Sequence, residues 1–396
     1  MRILFCNYEY PPLGGGGGVI NALLAQELAH RHEVTVLTSQ GLTLPECDVV
    51  DGVRVVRAPV FFRGAEAAAS MASMLAFLPM GIRRGRHLLR RESFDVLNTH
   101  FVVPTGPVGD HLARFAATPN VLTIHGGDLY DPSKWTSPHR HAPLRLWIRS
   151  LLRRADAVIG QSRNTLENMS RYYAPGIEGE RIPLGIRKPP ERGAAARGDY
   201  GLSPSDTILV TVGRLIARKG LMQLLELMDH LRGENVRLLI VGNGPLEDDL
   251  KKETSARELG GQVRFLGRVE EAEKFRILRM CDLFVSSSQH EGFGLVFLEA
   301  MACQLPVVCY DHGGQTDFLE DRKTGHLVPL NDRGRFESSC RRLISDREAR
   351  ARIGQHNLQR VEEYFIQNCA RRYEDLFERV VRGYAPRAAK KPACGT

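Results

Sequence analysis

The chain has 396 residues, 43% of them hydrophobic and 25% charged, with 38 Gly and 21 Pro. This is ordinary globular composition, and the length exceeds one average domain, so two domains are expected. A formal net charge of +8 favours anionic partners but is far below the density of a nucleic-acid-binding arm, and no nucleic-acid partner is expected.

Most of the excess sits early: residues 1–190 carry +6 and residues 191–396 carry +2. Eight Cys at 6, 47, 281, 303, 309, 340, 369 and 394 form no CxxC pair and no Cys/His cluster at zinc-ligand spacing. They read as reduced, mostly buried thiols of a cytoplasmic protein. The opening MRILFCNYEYPP offers only a five-residue apolar or near-apolar run, too short for the core of a signal peptide. No run of about 18 apolar residues occurs, so neither secretion nor a membrane span is expected.

Short Val/Ile/Leu runs alternate with helical-period segments from the first residue, the pattern of a parallel sheet covered by helices. In the first half the runs predict strands at residues 3–7, 33–38, 53–58, 95–100, 120–125 and 157–161. Between them lie helices such as 19–30, where Ile20, Leu23, Leu24 and Leu28 make one apolar stripe. The pattern stops near residue 187, and KPPERGAAARGD (188–199) reads as a linker. It resumes with strands at 208–212, 236–241, 263–266, 283–286, 306–310 and 326–328, and helices such as 220–230 and 246–259. A single long amphipathic helix is predicted over 361–381, followed by a disordered tail over 385–396. The organisation is therefore an α/β fold of two Rossmann-like domains, 1–187 and 200–360. Ligand sites belong at the carboxyl ends of their strands, in a cleft if the domains face each other.

The loops after the strands carry the chemistry. Gly14–Gly18 follows the first strand and opens a helix, which lets backbone N–H groups approach a phosphate closely. A dinucleotide fingerprint is not met, because GxGxxG fails in every frame and Leu37-Thr38-Ser39 ends the second strand without an acidic residue. A flexible turn without ligand is the plainer alternative. His125-Gly126-Gly127-Asp128 follows a strand, and His125 can donate to a substrate hydroxyl with Asp128 near enough to orient it. A loop His can equally be a solvated bystander; His100, ending the preceding strand, lines the same cleft or is filler.

Arg214 and Lys219, five residues apart at a strand end, suit a diphosphate, although the same pair on a solvated loop needs no ligand. In SSSQHEGFGLVFLEAMA (286–302), Glu291 and Glu299 can hold sugar hydroxyls. The exposed N–H groups of Phe293, Gly294, Leu295 and Val296 at the helix start suit an anion. Two glutamates favoured by a helix dipole would explain Glu299 poorly, since it lies within the helix beside Leu298 and Met301.

The run Glu291–Ala302 with its E-x7-E spacing, Pro306-Val307-Val308 and Gly313-Gly314 resembles the signature of the retaining GT-B glycosyltransferases of family GT4. The likeness extends in order through Tyr10-Pro11-Pro12, the Gly loop, His125-Gly126, Gly213-Arg214-Leu215 with Lys219-Gly220, Val241–Pro245 and Thr324-Gly325. It implies a nucleotide-sugar donor held mainly by the second domain, an acceptor on the first, and a C-terminal helix (361–384) crossing back to the first. It further implies that Arg214 and Lys219 neutralise the leaving diphosphate, with amides near Gly16 and Gly17 completing the cradle. Glu291 would contact the donor sugar, Glu299 the ribose, and His125 the sugar near its reacting carbon. Gly213 and Arg268 join the donor set, the base being read around Gly267-Arg268-Val269; Tyr10, His100 and Asp128 are assigned to the acceptor or the cleft. The family retains configuration and uses no metal or other cofactor, and this chain has no D-x-D triplet. Where the family commonly has G-G-x-x-E, this chain has Asp317, one methylene shorter.

The expected reaction is hexosyl transfer from a UDP- or GDP-sugar to a hydroxyl of a glycan or lipid-linked acceptor. A nucleotide-sugar 2-epimerase of the same fold and a non-catalytic nucleotide-sugar-binding partner are the alternatives. A glycogen-phosphorylase-like enzyme would need a Lys-bound pyridoxal phosphate, and no Lys is singled out for one. The apolar stretch 67–82 is followed by Arg83, Arg84, Arg86, Arg90 and Arg91, and LRLWIRSLLRR (144–154) sets Trp147 among four Arg. Both suit a helix lying on anionic lipid at the inner face of the plasma membrane, or simply an Arg-rich solvent face.

Overall fold

The structure, a computed structural model, describes residues 1–41, 43–61, 63 and 70–385. The tail expected over 385–396 and the first residues of the 67–82 stretch thus lie largely outside the described residues. The chain divides into two compact units. One comprises residues 1–131, 135–185 and the segment from Ile366 onward; the other comprises 132–134 and Ile186–Phe365.

The first unit is built on one sheet. Its strands are β1 (Arg2–Cys6), β2 (Glu33–Gln40), β3 (Cys47–Val50), β4 (Val53–Pro59), β5 (Val96–His100), β6 (Asn120–Ile124), β7 (Ala157–Gly160) and β8 (Glu180–Arg181). They lie in the order β3-β4-β2-β1-β5-β6-β7-β8, parallel except where β3 runs against β4. The central strands are buried along almost their whole length because both faces are covered. Ile3 and Phe5 pack with Val34 and Val36 on one side, while Leu4 and Cys6 pack with Leu37 and Leu97 on the other.

Two strands were invisible to the apolar pattern. β3 is an exposed edge, its Cys47, Asp48 and Val49 open to solvent, and β8 pairs over only two residues. Neither buries enough apolar surface to mark itself in sequence.

The expected helix over 361–381 is two pieces. A 3₁₀ turn at Val361–Tyr364 ends at Phe365, whose extended backbone (φ −74°, ψ 149°) breaks it from the helix Ile366–Gly383. That second helix buries Ile366, Cys369, Ala370, Tyr373, Leu376 and Phe377 at the 3–4 spacing of one face. These residues join Ile3, Phe5, Ala25 and Leu28 in one core of the first unit.

The second unit contains β9 (Thr207–Val212), β10 (Val236–Val241), β11 (Val263–Gly267), β12 (Leu283–Ser286), β13 (Val307–Tyr310) and β14 (Gly325–Val328). All are parallel, in the order β11-β10-β9-β12-β13-β14. Segment 188–199, read as a linker, is fastened to this unit. Ala195 N–H donates to the Arg276 carbonyl (3.0 Å), Arg279 donates to the Pro190 and Arg192 carbonyls (2.7 Å each), and Arg197 pairs with Asp282 (3.0 Å).

Both sheets reverse direction at one strand: β1 lies between β2 and β5, and β9 between β10 and β12. Connections diverge there to opposite faces, leaving a crevice at the carboxyl ends. Because Phe377 is fully buried in a core shared with β1, Phe377→Ala should destabilise the first domain by about 3–5 kcal/mol. The midpoint of its urea transition is the measurement.

Candidate functional site

In the second domain the crevice between β9 and β12 collects four of the predicted groups. The loop after β9 carries Gly213, Arg214 and Lys219, and the loop after β12 carries Glu291 and leads to the helix Leu295–Ala302. The loops are knitted together: Ser287 Oγ donates to the Gly220 carbonyl (2.9 Å), and Gln289 N–H to that of Arg218 (2.8 Å). Gly294 caps the helix at φ +91°, and a Cβ there would stand 2.6 Å from the Phe297 ring. Only glycine makes that turn, which leaves the first amides of the helix, at Leu295 and Val296, at its open end.

Lys219 and Glu291, assigned to different ends of a substrate by sequence, meet in an ion pair of 2.5 Å. Burial alone would push the Glu291 carboxyl up, but Lys219 and Arg218 outweigh it and hold it below the usual carboxylate range. Arg214 is exposed and lines the same small pocket as Gly213 and Lys219. Eight residues on, Glu299 Oε1 pairs with Lys274 (2.9 Å), while its buried Oε2 has no hydrogen-bond partner among the described residues. Burial raises the Glu299 carboxyl despite Lys274. Sequence reasoning missed Lys274 because it lies in the helix Glu271–Met280, whose charges resemble any solvated face. Phe293 is buried against Phe318 and serves packing. Arg268 is exposed, just past β11, and Asp317 closes the 3₁₀ turn Gly314–Asp317.

In the first domain the equivalent crevice lies between β1 and β5. The helix after the Gly loop starts at Gly16, earlier than the apolar stripe indicates, with Gly15 as its cap. Glu9 holds that cap, its Oε2 accepting from Gly15 N–H (3.1 Å). The amides of Gly16 and Gly17 therefore stand at the open end of a helix. A Cβ on Gly17 would lie 2.2 Å from the Phe101 ring, so the close approach itself demands glycine.

Phe101 stacks on His125 with centroids 4.2 Å apart, and His125 Nε2 is 3.0 Å from His100 Nδ1. Desolvation lowers both rings' affinity for protons, His125 to about 4 and His100 well below its ordinary value. Asp128 does not orient the imidazole, as its spacing suggested. Its carboxylate accepts from the backbone N–H groups of His125 (3.0 Å) and Val102 (2.8 Å) and so fixes the loop. Burial still raises that carboxyl to about 6. His100 and Tyr10 are likewise not surface groups: both are buried, Tyr10 in the core shared with β1.

The two basic segments differ. Arg83, Arg90 and Arg91 are exposed, but Arg84 pairs with Glu46 (3.2 Å) and Arg86 stacks over Phe115 (4.8 Å). On the helix Ala142–Arg154, Leu146 is 66% exposed and Trp147 38%, and Trp135 just before it is 76% exposed. No described helix is long and apolar enough to cross a membrane.

Family models for Glycosyltransferase Family 4 and for Glycosyl transferases group 1 match residues 14–187 and 194–360. A phosphatidyl-myo-inositol mannosyltransferase of Mycolicibacterium smegmatis is 30% identical, over 92% of this chain and 90% of that one. The chain belongs to the group 1 glycosyltransferases of family GT4. Its fold is that of the GT-B enzymes. A sucrose-phosphate synthase of Thermosynechococcus elongatus superposes with a TM-score of 0.84, at 22% identity over 97% of this chain and 100% of that one. The Anabaena protein HepE, solved in complex with UDP and glucose, superposes at 0.77, with 20% identity over 96% and 100%.

The two buried groups give this GT4 enzyme an opposed pH response. Between about pH 4 and 6.5 an unfolded His125 takes up a proton that the folded ring refuses, so acidification destabilises the first domain. Asp128 works the other way, since its folded carboxyl is protonated below about pH 6 and its unfolded one only near 3.8. Each is worth up to about 3 kcal/mol across its window. His125→Asn should therefore lessen the loss of stability between pH 6.5 and 4.5, and Asp128→Asn should deepen it, as read from urea midpoints at the two pH values.

Proposed function

We propose that the chain transfers a hexose from a UDP- or GDP-sugar to a hydroxyl of a glycan or lipid-linked acceptor, with retention of configuration and without a metal. The observation that carries this is the Lys219–Glu291 pair at the β9/β12 crevice, with Arg214 lining a pocket beside Lys219 and the loop of Glu291 leading to the open start of the helix Leu295–Ala302. Fixed cations beside free amides are what a leaving diphosphate requires, and they stabilise charge as it develops. Glu291, held ionised, offers its remaining lone pairs to sugar hydroxyls, and the unpartnered Oε2 of Glu299 accepts from the ribose. His125, neutral at working pH, bonds the transferred sugar near its reacting carbon, and the amides of Gly16 and Gly17 add to the diphosphate cradle. The nucleotide-sugar assignment is supported by HepE having been solved with UDP and glucose.

In this reaction the bond from the anomeric carbon to the diphosphate oxygen breaks while the acceptor oxygen bonds to the same carbon from the same face. The acceptor proton passes to the departing phosphate, so the products are the glycoside and the nucleoside diphosphate. Purified protein incubated with a panel of UDP- and GDP-sugars, with and without a membrane-lipid extract, should release nucleoside diphosphate from one donor. Arg214→Ala should lower that turnover on the order of 10²-fold; a wild-type rate would overturn the reading. Conversion of the donor without any acceptor would mark a 2-epimerase instead, and donor binding without release a non-catalytic partner.

Peripheral contact with an anionic membrane is proposed through the Leu146 and Trp147 face with its neighbouring Arg145 and Arg153, joined by the exposed Arg83, Arg90 and Arg91. Vesicles containing phosphatidylglycerol should co-sediment the protein at low salt, and less so at high salt. Leu146→Glu with Trp147→Glu should reduce the bound fraction severalfold. Absence of binding by the wild type at low salt would retire this contact.

A further inference from the structure

Five side chains form an unbroken hydrogen-bond chain through the first domain. It starts on the C-terminal helix, where Tyr373 OH donates to Thr123 Oγ1 on β6 (3.4 Å). Thr123 Oγ1 donates to Asn98 Oδ1 on β5 (3.0 Å), which turns the amide nitrogen of Asn98 toward His100 Nε2 (2.8 Å). His100 Nδ1 then faces His125 Nε2 (3.0 Å). Tyr373, Thr123, Asn98 and His100 are 0–1% exposed and His125 is 9% exposed, so water does not compete for these groups.

The direction of the chain decides the protonation of each ring. Asn98 donates to His100 Nε2, so that nitrogen carries no proton and the single N–H of a neutral His100 is at Nδ1. That N–H donates to His125 Nε2, so the single N–H of a neutral His125 is at Nδ1. Desolvation keeps both rings neutral, and one proton only fits between the two facing nitrogens. The plane of the His125 ring is set separately by Phe101, which Gly17 admits to its position.

We propose that this chain is the device that fixes His125 as the Nδ1–H tautomer, making Tyr373, Thr123, Asn98 and His100 positioning residues for the transfer reaction. The inference rests on the reading above that His125 meets the donor sugar. A substrate hydroxyl that reaches Nδ1 then meets a hydrogen-bond donor, a proton position that the neighbouring Gln161 side chain also favours, whereas an unanchored imidazole presents a lone pair there for part of the time. The C-terminal helix, through Tyr373, reaches the reaction without touching the substrate.

The test uses the full chain labelled with ¹⁵N-histidine. Long-range ¹H–¹⁵N spectra distinguish the two tautomers, and the His125 signal is the one lost in His125→Asn. The Nδ1–H pattern is expected in the wild type; an Nε2–H pattern, or a rapidly averaged one, would overturn the proposal. Asn98→Asp replaces the donor with an acceptor of the same shape. It should reverse the chain, give His125 the Nε2–H pattern, and lower kcat about 10²-fold with the donor KM little changed. Tyr373→Phe keeps the packing and removes the first donor, so it supplies a second variant should Asn98→Asp fail to fold. It should give a mixed pattern and a smaller fall in kcat. An unchanged tautomer in the folded variants, or a changed tautomer with wild-type kcat, would overturn the proposal. A wild-type rate in His125→Ala would instead remove the functional reading on which it rests, and the spectra would still report whether the chain exists.

Discussion

A parallel sheet has to reverse its winding somewhere, and at that strand the connections part and leave backbone amides uncovered. The Gly loop after β1 in one sheet and the Arg214–Lys219 loop after β9 in the other both lie there. The glycines follow from the same constraint. Gly17 lets Phe101 lie against the start of its helix, and Gly294 turns the chain into a helix whose first amides stay open. The rest of the fold holds these two crevices rigid. Apolar strands covered on both faces cannot slip register without moving side chains into the opposite core.

The domains solve the problem of buried polarity differently. The second keeps charges and pairs them, Lys219 with Glu291 and Lys274 with Glu299, which suits a site that handles an anion. The first, around His125, keeps its buried polar groups neutral and threads them into a directional chain that ends at that ring. Removing water strengthens the pairs in one case and suppresses ionisation in the other.

The alternation of apolar runs and helical segments was enough to place twelve of the strands to within a few residues, because most of those strands bury their own residues. The exposed edge at Cys47–Val50 and the two-residue β8 carry no such mark. Motif spacing located Arg214, Lys219, Glu291 and His125 in the loops after strands and Glu299 in the helix that follows one of them, since chemistry at fixed offsets is local. It failed for relations between distant segments. The Lys219–Glu291 pair, the Lys274 partner of Glu299 and the Tyr373-to-His125 chain all join residues far apart in sequence. Asp128 shows the same limit, for its distance from His125 is right for the ring but its carboxylate holds the backbone.

The helix Ile366–Gly383 packs against β1 although the whole second domain is synthesised between them. At a translation rate of about 5–20 residues per second, the first domain waits on the order of ten to forty seconds for its last apolar layer. During that interval Ile3, Phe5 and Leu28 lack their partners on the ribosome, while the second domain, contiguous in sequence, can close first. The first strands made are thus the last to be fully covered, and they are the ones that need protection from aggregation.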